Sequence, residues 1–426
     1  MIGWRNHWCG IWLDAIILRY LFAFGHKLQA QSIPDMKDET KLVTTGRDPE
    51  NNHGVVNPPV YHASTILHPT LDALDSSRKR REAGERGVYY GRKGTPTTFS
   101  LEDMVCALEG GHRCQVYPSG LAAIAGSLLA FVKAGDHILM TDAAYAPARR
   151  FCNNLASRYD VSTTFYDPAI GTGISDLIHD KTQVVYVEAP GTATFVMQDI
   201  PAIADAAHKK GCVVMMDNTW ASPLYCKPFE LGVDVSIQAG TKYIVGHSDV
   251  MIGTSCANKE AWPAVESMAG LLGHAAGPDD VYLAQRGMRT LSVRLKQHWE
   301  NGLKVANWLR DQDMVEVVMH PALMEDPGHD LWKRDFLGAS GLFGTTLKPC
   351  PREAVAAMVD GLELFGMGAS WGGYESLVLP QDPNAFRSVT PWPYEGQCIR
   401  FHIGLEDTDD LITDLVAGFK RLDAAL

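Results

Sequence analysis

Gly232-Val-Asp-Val-Ser-Ile-Gln-Ala-Gly-Thr-Lys-Tyr-Ile-Val-Gly-His247 is the stretch on which the reading of this chain turns. Val233, Val235 and Ile237 alternate with Asp234, Ser236 and Gln238, the period of a short strand. Ala239 and Gly240 break the pattern, and Lys242 follows among small and apolar residues. A lysine at the mouth of a strand is poorly solvated, and desolvation disfavours the ammonium form. The neutral amine it leaves is a nucleophile of the kind a Schiff base needs. A surface lysine on a loop is the competing reading, and the residues around it decide between them.

Working outward, Val213-Val-Met-Met216 is a continuous apolar run, as in a strand buried on both faces, and it ends in Asp217-Asn-Thr-Trp220. A carboxylate at the end of a buried strand is costly unless a cation or strong donor meets it. Val184–Val187, His137–Met140 and Cys114–Tyr117 read as further strands, and a helix runs from Pro201 to about Gly211. Strand and helix in alternation predict a doubly wound, mostly parallel α/β sheet. After Tyr117, Pro118-Ser-Gly-Leu-Ala-Ala123 opens a long apolar helix, so Ser119, Gly120 and Leu121 offer free N–H groups at its positive end. An earlier helix is expected to start at a capping pair, Ser100 with Asp103. Tyr145 stands at a strand end, where α/β sheets carry ligands. Tyr90-Gly-Arg92 puts an aromatic and a guanidinium on a glycine loop, suited to an anionic ligand or to a structural tyrosine corner.

Asp279 to about Gln312 is mainly helical. Beyond it, Gly341–Leu347 and Cys398–Ile403 read as strands, and Pro351–Leu364 and Asp407–Leu422 as helices, giving an α+β domain. Arg400 lies inside the last strand, free to snorkel or to pair with an anion. Ala369-Ser-Trp-Gly-Gly-Tyr-Glu375 is a glycine hinge carrying aromatics.

The 426 residues, 46% hydrophobic and 21% charged, suit a globular enzyme of two or three domains. A formal charge of −12 argues against nucleic acid or an anionic membrane as partner. The nine cysteines are scattered; Cys106 and Cys114 flank His112, but no second cluster completes a zinc set, so no metal site is expected. They read as free thiols in a reducing, cytoplasmic setting. Met1–Gln31 is rich in Trp and basic residues, and Asp14 and Arg19 break its apolar run, so it reads as neither a membrane span nor a secretory signal. Residues 1–40 are therefore expected to be an extension outside the fold, with Met36 the natural start.

Lys242, Asp217, Tyr145, the Ser119–Leu121 helix start and Arg92 supply an amine, an anion, an aromatic face, free N–H groups and a guanidinium. Pyridoxal 5'-phosphate requires that set: its aldehyde an amine, its ring nitrogen an acid, its ring a flat neighbour, its phosphate donors. There is neither a G-x-G-x-x-G after a strand nor a P-loop to argue for a nucleotide.

Tyr90-Gly-Arg92-Lys-Gly-Thr, Tyr117-Pro-Ser-Gly-Leu-Ala-Ala, Asp217-Asn-Thr-Trp-Ala, Ser236-Ile-Gln-Ala-Gly-Thr-Lys242-Tyr-Ile-Val-Gly-His-Ser-Asp, Ser370-Trp-Gly-Gly-Tyr-Glu-Ser-Leu and Ile399-Arg-Phe-His-Ile-Gly-Leu-Glu-Asp together carry a resemblance. From about Lys41 onward the chain resembles the bacterial cystathionine β-lyases among the Cys/Met-metabolism pyridoxal-phosphate enzymes. The resemblance implies fold type I, the aspartate-aminotransferase-like architecture. Residues 41–95 would be an arm reaching the neighbouring subunit, 96–290 the cofactor domain and 291–426 the C-terminal α+β domain. It further implies that Tyr90 and Arg92 reach a neighbour's phosphate in a homotetramer built from active dimers. Lys242, Tyr145 and Asp217 would be catalytic, with Thr241 beside the phosphate. Arg400 would hold the substrate carboxylate, with Ser370, Trp371, Tyr282 and Tyr90 lining the substrate pocket. One departure is Ala239, where many relatives carry a phosphate-binding serine, a difference of one hydrogen bond of about 1.5–3 kcal/mol. The implied reaction is β-elimination of cystathionine and other cysteine S-conjugates to a thiol, pyruvate and ammonia. A γ-acting relative shares the cofactor residues, but Trp371 resembles the β-lyases, since γ-acting relatives usually carry leucine there. A non-catalytic binding protein would require a lost catalytic position, and none is lost.

Overall fold

Strand β5 (Val213–Asp217) owes its place at the middle of the larger sheet to its apolar sequence; Val214, Met215 and Met216 have no exposed surface. Around it lie β1 (Arg113–Tyr117), β2 (His137–Thr141), β3 (Ser162–Tyr166), β4 (Thr182–Glu188), β6 (Val235–Gln238) and β7 (Gly253–Ala257). Their order is β1-β7-β6-β5-β4-β2-β3. All neighbours are parallel except β7, which runs antiparallel to both β1 and β6. The computed structural model describes residues 36–385 and 387–426, and Asp38–Leu426 forms one compact unit.

The polar half of β6 has a cause that alternation alone does not reveal. Ser236 and Gln238 face the buried Glu109 at the end of the Pro96–Glu109 helix, donating to its Oε1 at 2.7 and 2.8 Å. Asp234 accepts from the Val214 N–H and from Asn258 Nδ2 at 2.8 and 2.7 Å. The strand is thus buried on both faces, its polar side turned to internal partners.

A second sheet has the order β10-β11-β12-β9-β8, formed by β8 (Val315–Met319), β9 (Leu342–Leu347), β10 (Gly366–Met367), β11 (Leu377–Gln381) and β12 (Cys398–His402). The Leu291–Arg310, Arg352–Val359 and Thr408–Ala424 helices cover it, with Val305, Phe343, Phe401 and Leu415 in the shared core. The two sheets meet at the end of β5, where Trp220 Nε1 donates to Leu342 O at 2.8 Å.

Two expectations shift. The helix expected from Ser100 begins at Pro96, because Thr95 and Thr98 form the capping box; Ser100 sits inside and donates to Gly46 O. The expected extension of residues 1–40 overlaps the fold, since the Asp38–Thr44 helix is tied down by Asp38 to Lys227 at 2.6 Å and by buried Leu42. The remainder of that extension, with the proposed start at Met36, concerns residues 1–35, which lie outside the described residues. Among the described residues, no helix is long and apolar enough to cross a membrane.

Candidate active site

Lys242 leaves β6 on a loop whose backbone is pinned from below. Buried Arg294 donates through Nη2 to Tyr243 O at 2.9 Å and to Gly287 O at 2.8 Å. From above, Gly372 packs onto the preceding Lys242–Tyr243 peptide; a Cβ there would lie 2.9 Å from Lys242 C and Tyr243 N. The Lys242 ammonium donates to Ser370 Oγ at 2.7 Å and lies 5.3 Å from the Trp371 ring centroid. Burial, then the cation of Arg400, push its pKa down to about 8, with the charge of Asp217 opposing. A neutral amine is therefore available close to physiological pH.

Asp217 ends β5, and its neighbour on β6 is Ile237. Its Oδ1 accepts the Thr219 N–H and hydroxyl at 3.0 and 2.5 Å, while Thr219 Oγ1 accepts the Ala239 N–H at 2.9 Å. This chain of bonds joins the acid to the segment leading to Lys242. Burial raises the Asp217 pKa, while the Thr219 donors and the charge on Lys242 pull it down. Glu188, its register partner on β4, is a site residue that sequence reasoning passed over. The Glu188 carboxyl accepts the Tyr145 N–H at 2.7 Å and bonds the Thr192 hydroxyl. Burial, then the charge of Asp217, hold it protonated well above the usual carboxylate range. With one of two adjacent acids neutral, the other can stay ionised. Its signal in the sequence, an acid ending an apolar strand, is the one that singled out Asp217.

Tyr145 starts a short helix and is 43% exposed, so its ring is open to a ligand; burial, then Asp217 and Glu188, raise its pKa. The Ser119 side chain caps the Gly120–Leu129 helix by accepting from Ala122 N at 3.1 Å. The Gly120 and Leu121 N–H groups stand in the first turn, where no intrahelical partner exists. A Cβ on Gly120 would fall 2.6 Å from that of Ala239, so this helix start abuts the lysine segment and requires glycine. The Ala239 side chain points at it, which is where a serine would have met a phosphate. The Thr241 hydroxyl, by contrast, is engaged with Ile252, donating to its O at 3.2 Å and accepting its N–H at 3.0 Å. It would have to exchange Ile252 O to donate to a phosphate.

Arg400 lies on β12, half of a clamp on the loop carrying Ser370 and Trp371. Its Nη2 donates to Gly368 O at 3.1 Å and Ser370 O at 2.9 Å, leaving Nη1 and Nε for an anion. Two residues on, His402 Nε2 lies 3.1 Å from the Gly372 N. Ser248, held at φ +58°, donates to both Glu375 oxygens at 2.7 and 2.8 Å and fastens the far end of that loop. Tyr90 and Arg92 stand apart: Tyr90 is 45% exposed, and Arg92 donates to Gly270 O at 3.1 Å. Tyr282, half-buried on the Pro278–Met288 helix, likewise makes none of the contacts that gather Lys242, Asp217 and Arg400.

An amine with a lowered pKa, a strand-end acid, free helix N–H groups and a guanidinium with unused donors match what pyridoxal phosphate needs. The comparisons agree. Residues 39–420 match the family model described as Cys/Met metabolism PLP-dependent enzyme. A cystathionine β-lyase of Escherichia coli (strain K12) is 45% identical over 394 residues, covering 91% of this chain and 99% of that one. An L-alanine/L-glutamate racemase of Wolbachia pipientis wMel is 41% identical, covering 91% and 98%. A cystathionine γ-synthase of Xanthomonas oryzae pv. oryzae, solved in complex with cystathionine, superposes with a TM-score of 0.83 at 30% identity, covering 92% and 100%. The chain belongs to the Cys/Met metabolism PLP-dependent enzymes, with the doubly wound α/β fold those relatives share.

Proposed function

We propose that this chain is a carbon–sulfur lyase that cleaves cystathionine by β-elimination, consuming water and yielding homocysteine, pyruvate and ammonia for methionine biosynthesis. Other cysteine S-conjugates are substrates by the same chemistry. The observation that carries the reading is Lys242 Nζ, brought to a pKa of about 8 and seated on Ser370 Oγ between Asp217 and Arg400. Pyridoxal phosphate, when bound, supplies the electron sink that makes the substrate's α-proton removable. Lys242 would hold its aldehyde carbon and Asp217 its ring nitrogen, with the Tyr145 ring on its face. Ser119, Gly120 and Leu121 would hold its phosphate, together with Thr241 and with Tyr90 and Arg92 of a neighbouring copy.

Arg400 receives the α-carboxylate through Nη1 and Nε while Nη2 keeps the Ser370 loop in place. The neutral Lys242 Nζ, steered by Ser370, takes the α-proton and returns a proton to the departing sulfur. Asp217, kept anionic beside a protonated Glu188, would hold the proton on the cofactor's ring nitrogen. Trp371 and Tyr282 line the distal pocket, and the tryptophan favours β- over γ-cleavage.

The exposed setting of Tyr90 and Arg92, off the Lys242 cluster of their own chain, supports an assembly in which they serve a neighbour, a dimer of active dimers. Of the described residues, eight cysteines are free thiols, as in a cytoplasmic enzyme. A substrate panel tests the reading: cystathionine should give pyruvate. Release of 2-oxobutyrate would make the chain γ-acting, and racemisation of L-alanine without pyruvate would put it with the racemase.

A further inference from the structure

Behind the lysine loop lies a cluster of rings that the reaction does not use. Tyr243, His298 and His402 are fully buried, with ring centroids 5.3 Å apart for Tyr243–His298, 5.2 Å for His298–His402 and 6.0 Å for Tyr243–His402. Two of them carry a buried polar atom without a partner, His298 Nε2 and His402 Nδ1, whereas the Tyr243 hydroxyl faces Ser340 and the Gly341 backbone. Leaving two such atoms unsatisfied is costly, and a shared water is the usual remedy.

Hydrogen-bond logic fixes the protons. His298 Nδ1 lies 2.8 Å from Ile403 O, a group that only accepts, so Nδ1 carries the hydrogen and Nε2 presents a lone pair. His402 Nε2 lies 3.1 Å from both the Gly372 N and Gly373 O. A hydrogen on Nε2 would satisfy the carbonyl but oppose the Gly372 N–H, a buried donor, and orphaned buried N–H groups are the rarer kind. Nε2 therefore accepts, and Nδ1 carries the hydrogen on a ring whose centroid is 5.2 Å from that of His298. Burial keeps both imidazoles neutral.

We propose that one internal water, held by His402 Nδ1–H and His298 Nε2 beside the Tyr243 ring, locks both histidines as neutral Nδ1–H tautomers. The relay runs from Ile403 O to the Gly372 N–H and makes His402 a positioning residue for Ser370 and Trp371. Its link to catalysis rests on the function proposed above, whereas its proton pattern does not. The chain reaches Lys242 twice: Gly372 packs on its backbone, and Ser370 holds its Nζ.

Neutron diffraction from a deuterium-exchanged crystal reads the pattern directly. Deuterons on Nδ1 of both rings and a water bonded to both are expected. A deuteron on His402 Nε2, or no water between the rings, would overturn the proposal. The functional arm compares His402→Gln, whose Oε1 can accept from Gly372, with His402→Leu, which cannot. If one charge-free anchor is lost, Leu should lower kcat by about tenfold with KM little changed, and Gln should restore most of it. Equal behaviour of the two variants would reduce His402 to a core filler. Failure of the substrate assignment would leave the neutron result standing.

Discussion

Gly372→Ala is the sharpest single test of the site. At φ +84° the residue occupies the left-handed region, where a side chain costs about 1–2 kcal/mol. The new Cβ would also lie 2.9 Å from Lys242 C and Tyr243 N and 3.0 Å from Lys242 Cα, all backbone atoms that cannot rotate away. Ordinary contact therefore requires the loop to retreat by roughly half an ångström, with about 1–3 kcal/mol of overpacking where it cannot. The retreat pulls on the Gly372 bond to His402 and on the Ser370 bond to Lys242, at 3.1 and 2.7 Å. Displacements of this size at a reacting centre cost about 10- to 100-fold, so kcat/KM for cystathionine, read as pyruvate release, should fall by that factor. Bound cofactor should remain near one per chain, because neither Asp217 nor the Gly120 helix start is among the groups nearest the new Cβ. Gly366→Ala is the control: its Cβ meets only the flexible end of Leu377, at 3.3 Å, and activity should hold. Gly372→Ala with wild-type kcat/KM would refute the packing argument.

Lys242→Ala should remove both the visible absorption of the bound cofactor and turnover; pyruvate release at a wild-type rate would dismiss the lysine as the base. Arg400→Lys keeps the charge but cannot reach two loop carbonyls and a carboxylate together, so kcat/KM should drop by about 10- to 100-fold. A steady-state comparison showing no change would place the substrate carboxylate elsewhere. His320 is buried, with its Nδ1 accepting from Ala322 N at 3.1 Å, and burial pushes its pKa down to about 4 from an ordinary 6.5. The unfolded chain binds the extra proton first. The stability His320 confers is therefore complete above about pH 6.5 and lost as pH falls toward 4. His320→Phe should lose about 2–3 kcal/mol less than the parent between pH 7.5 and 4.5 in urea unfolding. Identical pH slopes would show that another group carries the acid sensitivity.

The sequence on its own determined the doubly wound sheet, since runs such as Val213–Met216 can only be buried, together with the lysine that follows β6 and the acid that ends β5. It also marked the Ser119 helix start, because caps and strand ends are local in the chain. Other features were decided by distance in space. The alternation of Ser236 and Gln238 marked a strand but not their buried partner Glu109, which is more than a hundred residues away. Glu188 acquires meaning only beside Asp217 on the neighbouring strand, and the Thr241 hydroxyl is claimed by Ile252, eleven residues further along the chain. The clamp of Arg400, His402 and Gly372 on the Lys242 peptide joins two sheets, and no periodicity encodes a contact between them. Local hydrogen bonding and burial periodicity are written along the chain; the pairing of buried polar groups is settled only when separate elements pack and each must find a partner.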